Sequence, residues 1–74
     1  LRSRVRSVIA EALGIEERKL PARATTDSVE QWDSLGHLAI IENLAIAFDC
    51  PLDHAKAVTL LSEDAIVEAI ADKQ

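Results

Sequence analysis

Gln31-Trp32-Asp33-Ser34-Leu35-Gly36-His37-Leu38 is the stretch where a long polar connection becomes a strongly apolar helix. Asp33 or Ser34 suits the N-cap, where a short side-chain oxygen accepts a backbone N–H of the first turn. Either choice leaves Ser34 exposed at the positive end of the helix with an acid beside it. Such a serine is a good place to attach a phosphate-linked group, because helix N-termini favour phosphate.

The helix that follows is expected from about Leu35 to Phe48, and it is apolar nearly all round. Ile40, Ile41, Leu44 and Phe48 have the spacing of a buried seam. Leu35, Leu38, Ala39, Ala45 and Ile46 form a second stripe, interrupted by Glu42. A helix of this kind is either fully buried or offers a face to a partner. Few helices are available to surround it, so the second stripe is expected to be a docking surface. The alternative is that this stripe packs under the long loop.

Working outward, Val5, Val8, Ile9, Ala12 and Leu13 repeat at i, i+3, i+4, i+7, i+8, which predicts an amphipathic helix over residues 2–13. Gly14 suits its left-handed stop. Residues 15–33 form a long connection, and Ile15, Leu20, Val29 and Trp32 are expected to hold it against the helices. A short helical turn is expected around Ser28–Gln31. Pro51 ends the second helix by disfavouring helix at Cys50. Asp53 suits the cap of a short helix over His54–Ala57. Ser62 suits the cap of the last, with Glu63 and Asp64 at its positive end and Ile66, Ala69 and Ile70 facing inward. The predicted fold is all-α: a small four-helix bundle, three principal helices plus one short helix, with a long loop between the first two. Up-down packing with one long crossover is the natural arrangement.

The 74 residues allow one domain, spanning 1–74, and one modest core. That is too small for an active-site cleft between domains. A hydrophobic share of 49% fits a folded chain. Trp32 and Phe48 are the only aromatics, so the core must be aliphatic, and two Gly and two Pro leave the composition in favour of helix. Cys50 is alone and forms no internal disulfide, which points to a cytoplasmic setting. No apolar run approaches the roughly 20 residues of a membrane span, so no membrane partner is expected. No signal-peptide pattern opens the chain. With no Met it reads as trimmed, or as a piece of something longer.

Net charge is -5, unevenly spread. Residues 1–23 hold six bases and three acids, and residues 24–74 hold two bases and ten acids. An acidic body repels nucleic acid. Arg2, Arg4 and Arg6 read as the solvated face of a helix rather than as a nucleic-acid arm.

Asp33, Ser34 and His37 do not make a hydrolytic triad. They lie within five consecutive residues, and no Gly-x-Ser-x-Gly elbow accompanies them. Asp33 and His37 are two first-shell ligands at i, i+4, short of the three or four a dedicated Zn²⁺ site takes. No catalytic residue and no metal site are assigned, and the chain is read as not an enzyme. Cys50 reads as a small, partly buried hydrophobe. For Ser34 alone the plain reading is a helix cap. Asp27-Ser28-Val29 is a decoy with the same acid-serine-apolar pattern but no long helix directly behind it.

Asp33-Ser34-Leu35 opening a helix that ends in Phe48-Asp49 resembles the acyl carrier protein family, including peptidyl and aryl carrier domains. The resemblance covers residues 3–72, and the Trp32–Leu38 run is especially similar to stand-alone acyl carriers. It implies 4'-phosphopantetheine, taken from coenzyme A by a phosphopantetheinyl transferase and attached covalently to Ser34, which makes the chain a phosphoprotein. Asp33 would help position Mg²⁺ during that transfer, and Leu35 completes the motif. The implied function is to hold acyl or aminoacyl groups as thioesters and deliver them, as a monomer, between loading ligases and acceptor enzymes. Fatty-acid, polyketide and nonribosomal peptide biosynthesis are the pathways it implies. The alternative is a helical interaction module of the same fold that lacks the arm.

The chain departs from the family along the second helix. Many acyl carriers place acids there to meet basic patches on partners, whereas this chain has Ala39, Ala45 and Ile46 at several of those positions. Glu42 stands where an apolar residue is more common. Docking through Leu35, Leu38, Ala39, Glu42, Ala45 and Ile46 is therefore expected to be mainly apolar, in a specialised pathway.

Overall fold

Val5, Ile9 and Ala10 are buried on one face of the first helix, and the other elements pack around that face. The computed structural model of the chain describes residues 1–73. In chain order it contains α1 (Arg2–Leu13), a 3-10 turn (Glu17–Lys19), α2 (Ser34–Ala47), α3 (His54–Ala57) and α4 (Glu63–Lys73). Among the described residues no strand forms; Thr25 and Ser62 make one isolated antiparallel bridge. The fold is the all-α small bundle expected, with three principal helices and one short one.

Each helix ends where local chemistry dictates. Gly14 takes φ 70°, and the N–H groups of Gly14 and Ile15 donate to Glu11 and Ala10 at 3.2 and 3.0 Å, a Schellman stop. The end of α2 repeats that geometry without glycine. Asp49 takes φ 48°, and the Asp49 and Cys50 N–H groups donate to Ile46 and Ala45. Asp53 Oδ1 accepts the Lys56 N–H at 2.8 Å to start α3, and Ser62 Oγ accepts that of Ala65 at 3.1 Å to start α4.

Leu13, at the end of α1, reaches Gly36 near the start of α2, while Arg4 near the start of α1 meets Ala47 and Phe48 at the end of α2. The two helices are therefore antiparallel. Ile40, Ile41 and Leu44 fill the seam between them, and Ile66, Ala69 and Ile70 add the buried face of α4. The long connection contributes Leu20, Ala24, Val29 and Trp32 to the same core, with Ile15 half-buried against it. Trp32 makes the core less purely aliphatic than composition implies.

Three expectations change. Ser28–Gln31 forms turns and not a helical turn: the Val29 N–H makes one i→i−4 bond to Thr25, and the next bond, Trp32 to Val29, is already a tighter i→i−3 turn. The connection instead holds its 3-10 turn earlier, at Glu17–Lys19, and α2 begins one residue sooner than expected, at Ser34. The arginines of α1 are not merely a solvated face. Arg2 reaches Glu63 at 2.5 Å and Asp64 at 2.8 Å. Arg6 pairs with Glu63 and donates to the Leu20 and Pro21 carbonyls at 2.6 and 3.0 Å. Arg4 donates to the Ala47 carbonyl at 2.5 Å and stacks its guanidinium 4.5 Å over the Phe48 ring.

Glu63 is buried to 1% exposure, and a carboxylate in that setting needs partners. Two guanidiniums supply them, and the Ala24 N–H adds a weaker contact at 3.3 Å. The Glu63 N–H returns to the Ala24 carbonyl at 2.8 Å. This cluster fastens α1, the connection and α4 to one another. Its bond to Glu63, first, and then to Asp64 raises the pKa of Arg2.

Gly36 is fixed by close approach. A Cβ there would lie 2.3 Å from the Gln31 carbonyl oxygen and 2.7 Å from Leu13 Cδ2. A Cβ at Gly14 would meet nothing within 4 Å, so only its positive φ resists substitution. Urea unfolding is expected to show Gly36→Ala losing about 2–3 kcal/mol, by overpacking against backbone. Gly14→Ala should lose only about 1 kcal/mol, from backbone strain alone. Equal losses would contradict the close approach.

Candidate functional site

Asp33 is the cap of α2. Its backbone is extended, and its Oδ1 accepts the Gly36 N–H at 2.9 Å while its carbonyl accepts that of His37 at 2.8 Å. Ser34 is thereby the first helical residue and not the cap. It is exposed, and among the described residues its hydroxyl makes no hydrogen bond. The N–H groups of Ser34 and Leu35 likewise have no partner among the described residues, as expected for a first turn. Ser28, the decoy, is differently placed. Its Oγ accepts the Thr25 N–H at 2.9 Å and donates to the Thr25 carbonyl at 3.3 Å, so its hydroxyl is already engaged.

Behind Ser34 runs a chain of hydrogen bonds. Trp32 is 2% exposed, and its indole N–H donates to His37 Nδ1 at 3.0 Å. An indole N–H is only ever a donor, so Nδ1 is the acceptor. Nε2 then carries the hydrogen and donates to the Ala57 carbonyl at 2.8 Å. The two rings lie nearly parallel, 6.2 Å between centroids. This relay ties the connection to α2 and α2 to the end of α3. Both nitrogens of His37 are used in it, so neither faces Ser34 as a base, and Asp33 is occupied as a cap. The pair that invited triad and metal readings is held in structural bonds.

Among the described residues two grooves flank Ser34. One, of about 460 Å³, lies between α2 and α3 and is lined by Ser34, His37, Leu38, Ile41, Glu42, Leu52, Ala57 and Val58. The other, of about 290 Å³, lies on the Trp32 side and includes Thr26, Asp33 and Leu61. Leu35, Leu38 and Ile46 are 79%, 50% and 80% exposed, and Glu42 is exposed with them. Ala39 and Ala45 are half-buried. The outer stripe of α2 is thus open to solvent and does not pack under the long loop, whose own apolar residues point into the core.

Val58 and Leu61, also exposed, extend this apolar rim, and sequence reasoning missed them. Their signal was the run Val58-Thr59-Leu60-Leu61 just ahead of the Ser62 cap. Leu60 is buried at 2%, which turns its apolar neighbours outward. Leu52 and Ala57 were likewise not foreseen as groove walls.

Set against protein-family models and against curated proteins, the chain matches none. Among the described residues no helix is long and apolar enough to cross a membrane.

His37→Ala leaves the Trp32 indole N–H and the Ala57 carbonyl without their partner. It is expected to cost about 1–3 kcal/mol. Solvent exchange of the indole proton, followed by NMR, should become faster. Unchanged indole exchange would show that the relay does not hold Trp32.

Proposed function

We propose that this chain is a carrier protein whose Ser34 bears a covalent 4'-phosphopantetheine arm. The observation that carries this reading is the state of Ser34: an exposed, unbonded hydroxyl at the start of a 14-residue helix, beside open apolar grooves. Asp33 performs the capping, so the plain cap reading leaves the Ser34 hydroxyl without a role.

The residues present fit the group. A phosphodiester on Ser34 would sit at the positive end of α2, near N–H groups that have no partner among the described residues. Asp33 Oδ1 is engaged with Gly36, while Oδ2 makes no bond among the described residues and is exposed to a transferase and its Mg²⁺. The arm would supply a terminal thiol that carries acyl or aminoacyl groups as thioesters. The chain's own part is to hold Ser34 outward, to keep Trp32 and His37 rigid behind it, and to present Leu35, Leu38, Ala39, Ala45 and Ile46 to loading and acceptor enzymes. Tethering replaces free diffusion of an intermediate with a local search at high effective concentration. A specialised biosynthetic pathway in the cytoplasm, where a lone thiol such as Cys50 stays reduced, is the setting this reading favours.

Intact-mass measurement after treatment with coenzyme A, Mg²⁺ and a broad-specificity phosphopantetheinyl transferase tests the assignment. The unaltered chain and Ser28→Ala should gain the arm, and Ser34→Ala should not. A Ser34→Ala protein that still gains it overturns the site.

Affinity for the loading enzyme, measured by calorimetry, should change by less than about threefold between low and moderate ionic strength, because apolar contacts are little screened. A steep loss with salt would mean that charge drives docking.

A further inference from the structure

Ser34, His37, Leu38, Ile41 and Glu42 recur at i, i+3, i+4, i+7, i+8, so they share one face of α2, the floor of the groove against α3. Leu38, Ile41, Leu52, Ala57 and Val58 make that groove apolar. Both His37 nitrogens are already bonded within the fold. Among the described residues Glu42 is the one acidic or basic side chain besides His37 that lines it, and none of them bonds a cation or N–H to its carboxylate. Arg2, Arg6 and Arg23 line a different groove with Glu63, and Lys56 lines another with Thr59 and Glu68. Glu42 stands two helical turns beyond Ser34, about 12 Å along the axis.

We propose that Glu42 is a selectivity residue, and that the groove takes cargo pairing an apolar side chain with a protonated amine, that is, an aminoacyl group. This inference rests on the carrier reading of Ser34 and narrows its cargo. A purely aliphatic chain lying along the groove would strip water from the Glu42 carboxylate and give nothing back. An ammonium on the cargo pairs with that carboxylate while the side chain covers Leu38, Ile41 and Val58. The volume of about 460 Å³ lies within the range of small-ligand pockets. The site is open to solvent, so the discrimination is modest, a fewfold rather than a thousandfold.

The test loads the arm with either a leucyl or a 4-methylpentanoyl group, which differ only by the α-amino group. A hydrolysis-resistant amide replaces the thioester. Relative to the bare arm, the leucyl form should shift the backbone NMR signals of Ile41, Leu52 and Val58 more than the 4-methylpentanoyl form does. Glu42→Gln should remove the difference and lower the titration midpoint of the leucyl amine by about half a unit. Equal shifts from both cargoes, or a Glu42→Gln variant that behaves as the parent, overturn the proposal. The second result is also what a Glu42 serving only a partner enzyme would give, since no partner is in the tube. Intact mass is read first: if no arm is gained, the carrier reading itself falls and takes this inference with it. An arm gained with no Glu42 dependence sinks the inference alone.

Discussion

A buried indole has to place its N–H on an acceptor. Here that acceptor is His37 Nδ1, and the geometry around Ser34 follows from the pairing. It brings the last residues of the long connection against the first turn of α2. It fixes which His37 nitrogen keeps a hydrogen, and that nitrogen reaches across to the Ala57 carbonyl. Three segments that are distant in packing role are thereby referred to one ring. The approach is so close that residue 36 has no room for a Cβ. Ser34 stands on the outside of this joint. Its exposure is the consequence of the two residues before it being committed, Trp32 inward and Asp33 to the cap.

The middle of the connection is held differently, by charge. Ordering a loop of this length costs about 1–2 kcal/mol of backbone entropy per residue. The core anchors Leu20, Ala24, Val29 and Trp32 offset part of that cost. Glu63 adds a polar clamp where α1, the connection and α4 meet; it is buried, while Arg6 is partly covered and Arg2 reaches it from the surface. An ion pair in that position is weak evidence of net stability, since desolvation opposes the attraction. What it does supply is register: a displaced Glu63 would be a buried charge without a partner, so alternative packings of α4 on α1 are disfavoured.

Much of this was legible in the sequence, for identifiable reasons. Periodicity placed α1 and α2, and short polar side chains marked the caps at Asp53 and Ser62 while leaving Asp33 and Ser34 as alternatives for α2. The inner seam Ile40, Ile41, Leu44 was readable because its spacing admits one buried face. The failures are equally specific. Arg2 and Arg6 share one face of α1 and Arg4 lies on another, and nothing local reveals that Glu63, some 60 residues on, will need two of them. The turns over Ser28–Gln31 follow from Val29 and Trp32 both being drawn into the core, which propensity alone does not weigh. The Trp32–His37–Ala57 relay joins an i, i+5 pair to a carbonyl 20 residues away, and Val58 and Leu61 became part of the site's rim only because Leu60 turned inward. Long-range contacts, and not local preferences, decided each of these.

The open groove itself has a structural cause. α3 is only four residues long, His54–Ala57, so it covers one edge of α2 and leaves the outer stripe bare. Leu35 and Ile46 at about four-fifths exposure are costly to leave in water and invite self-association. A net charge of -5 opposes that association by repulsion between copies. Glu42 sets a charge within the apolar stripe, where it interrupts what would otherwise be a continuous sticky band. The same carboxylate therefore does two things at one place. It breaks the apolar band on an uncovered face, and under the proposed carrier role it would give the groove a preference for cargo that brings a positive charge.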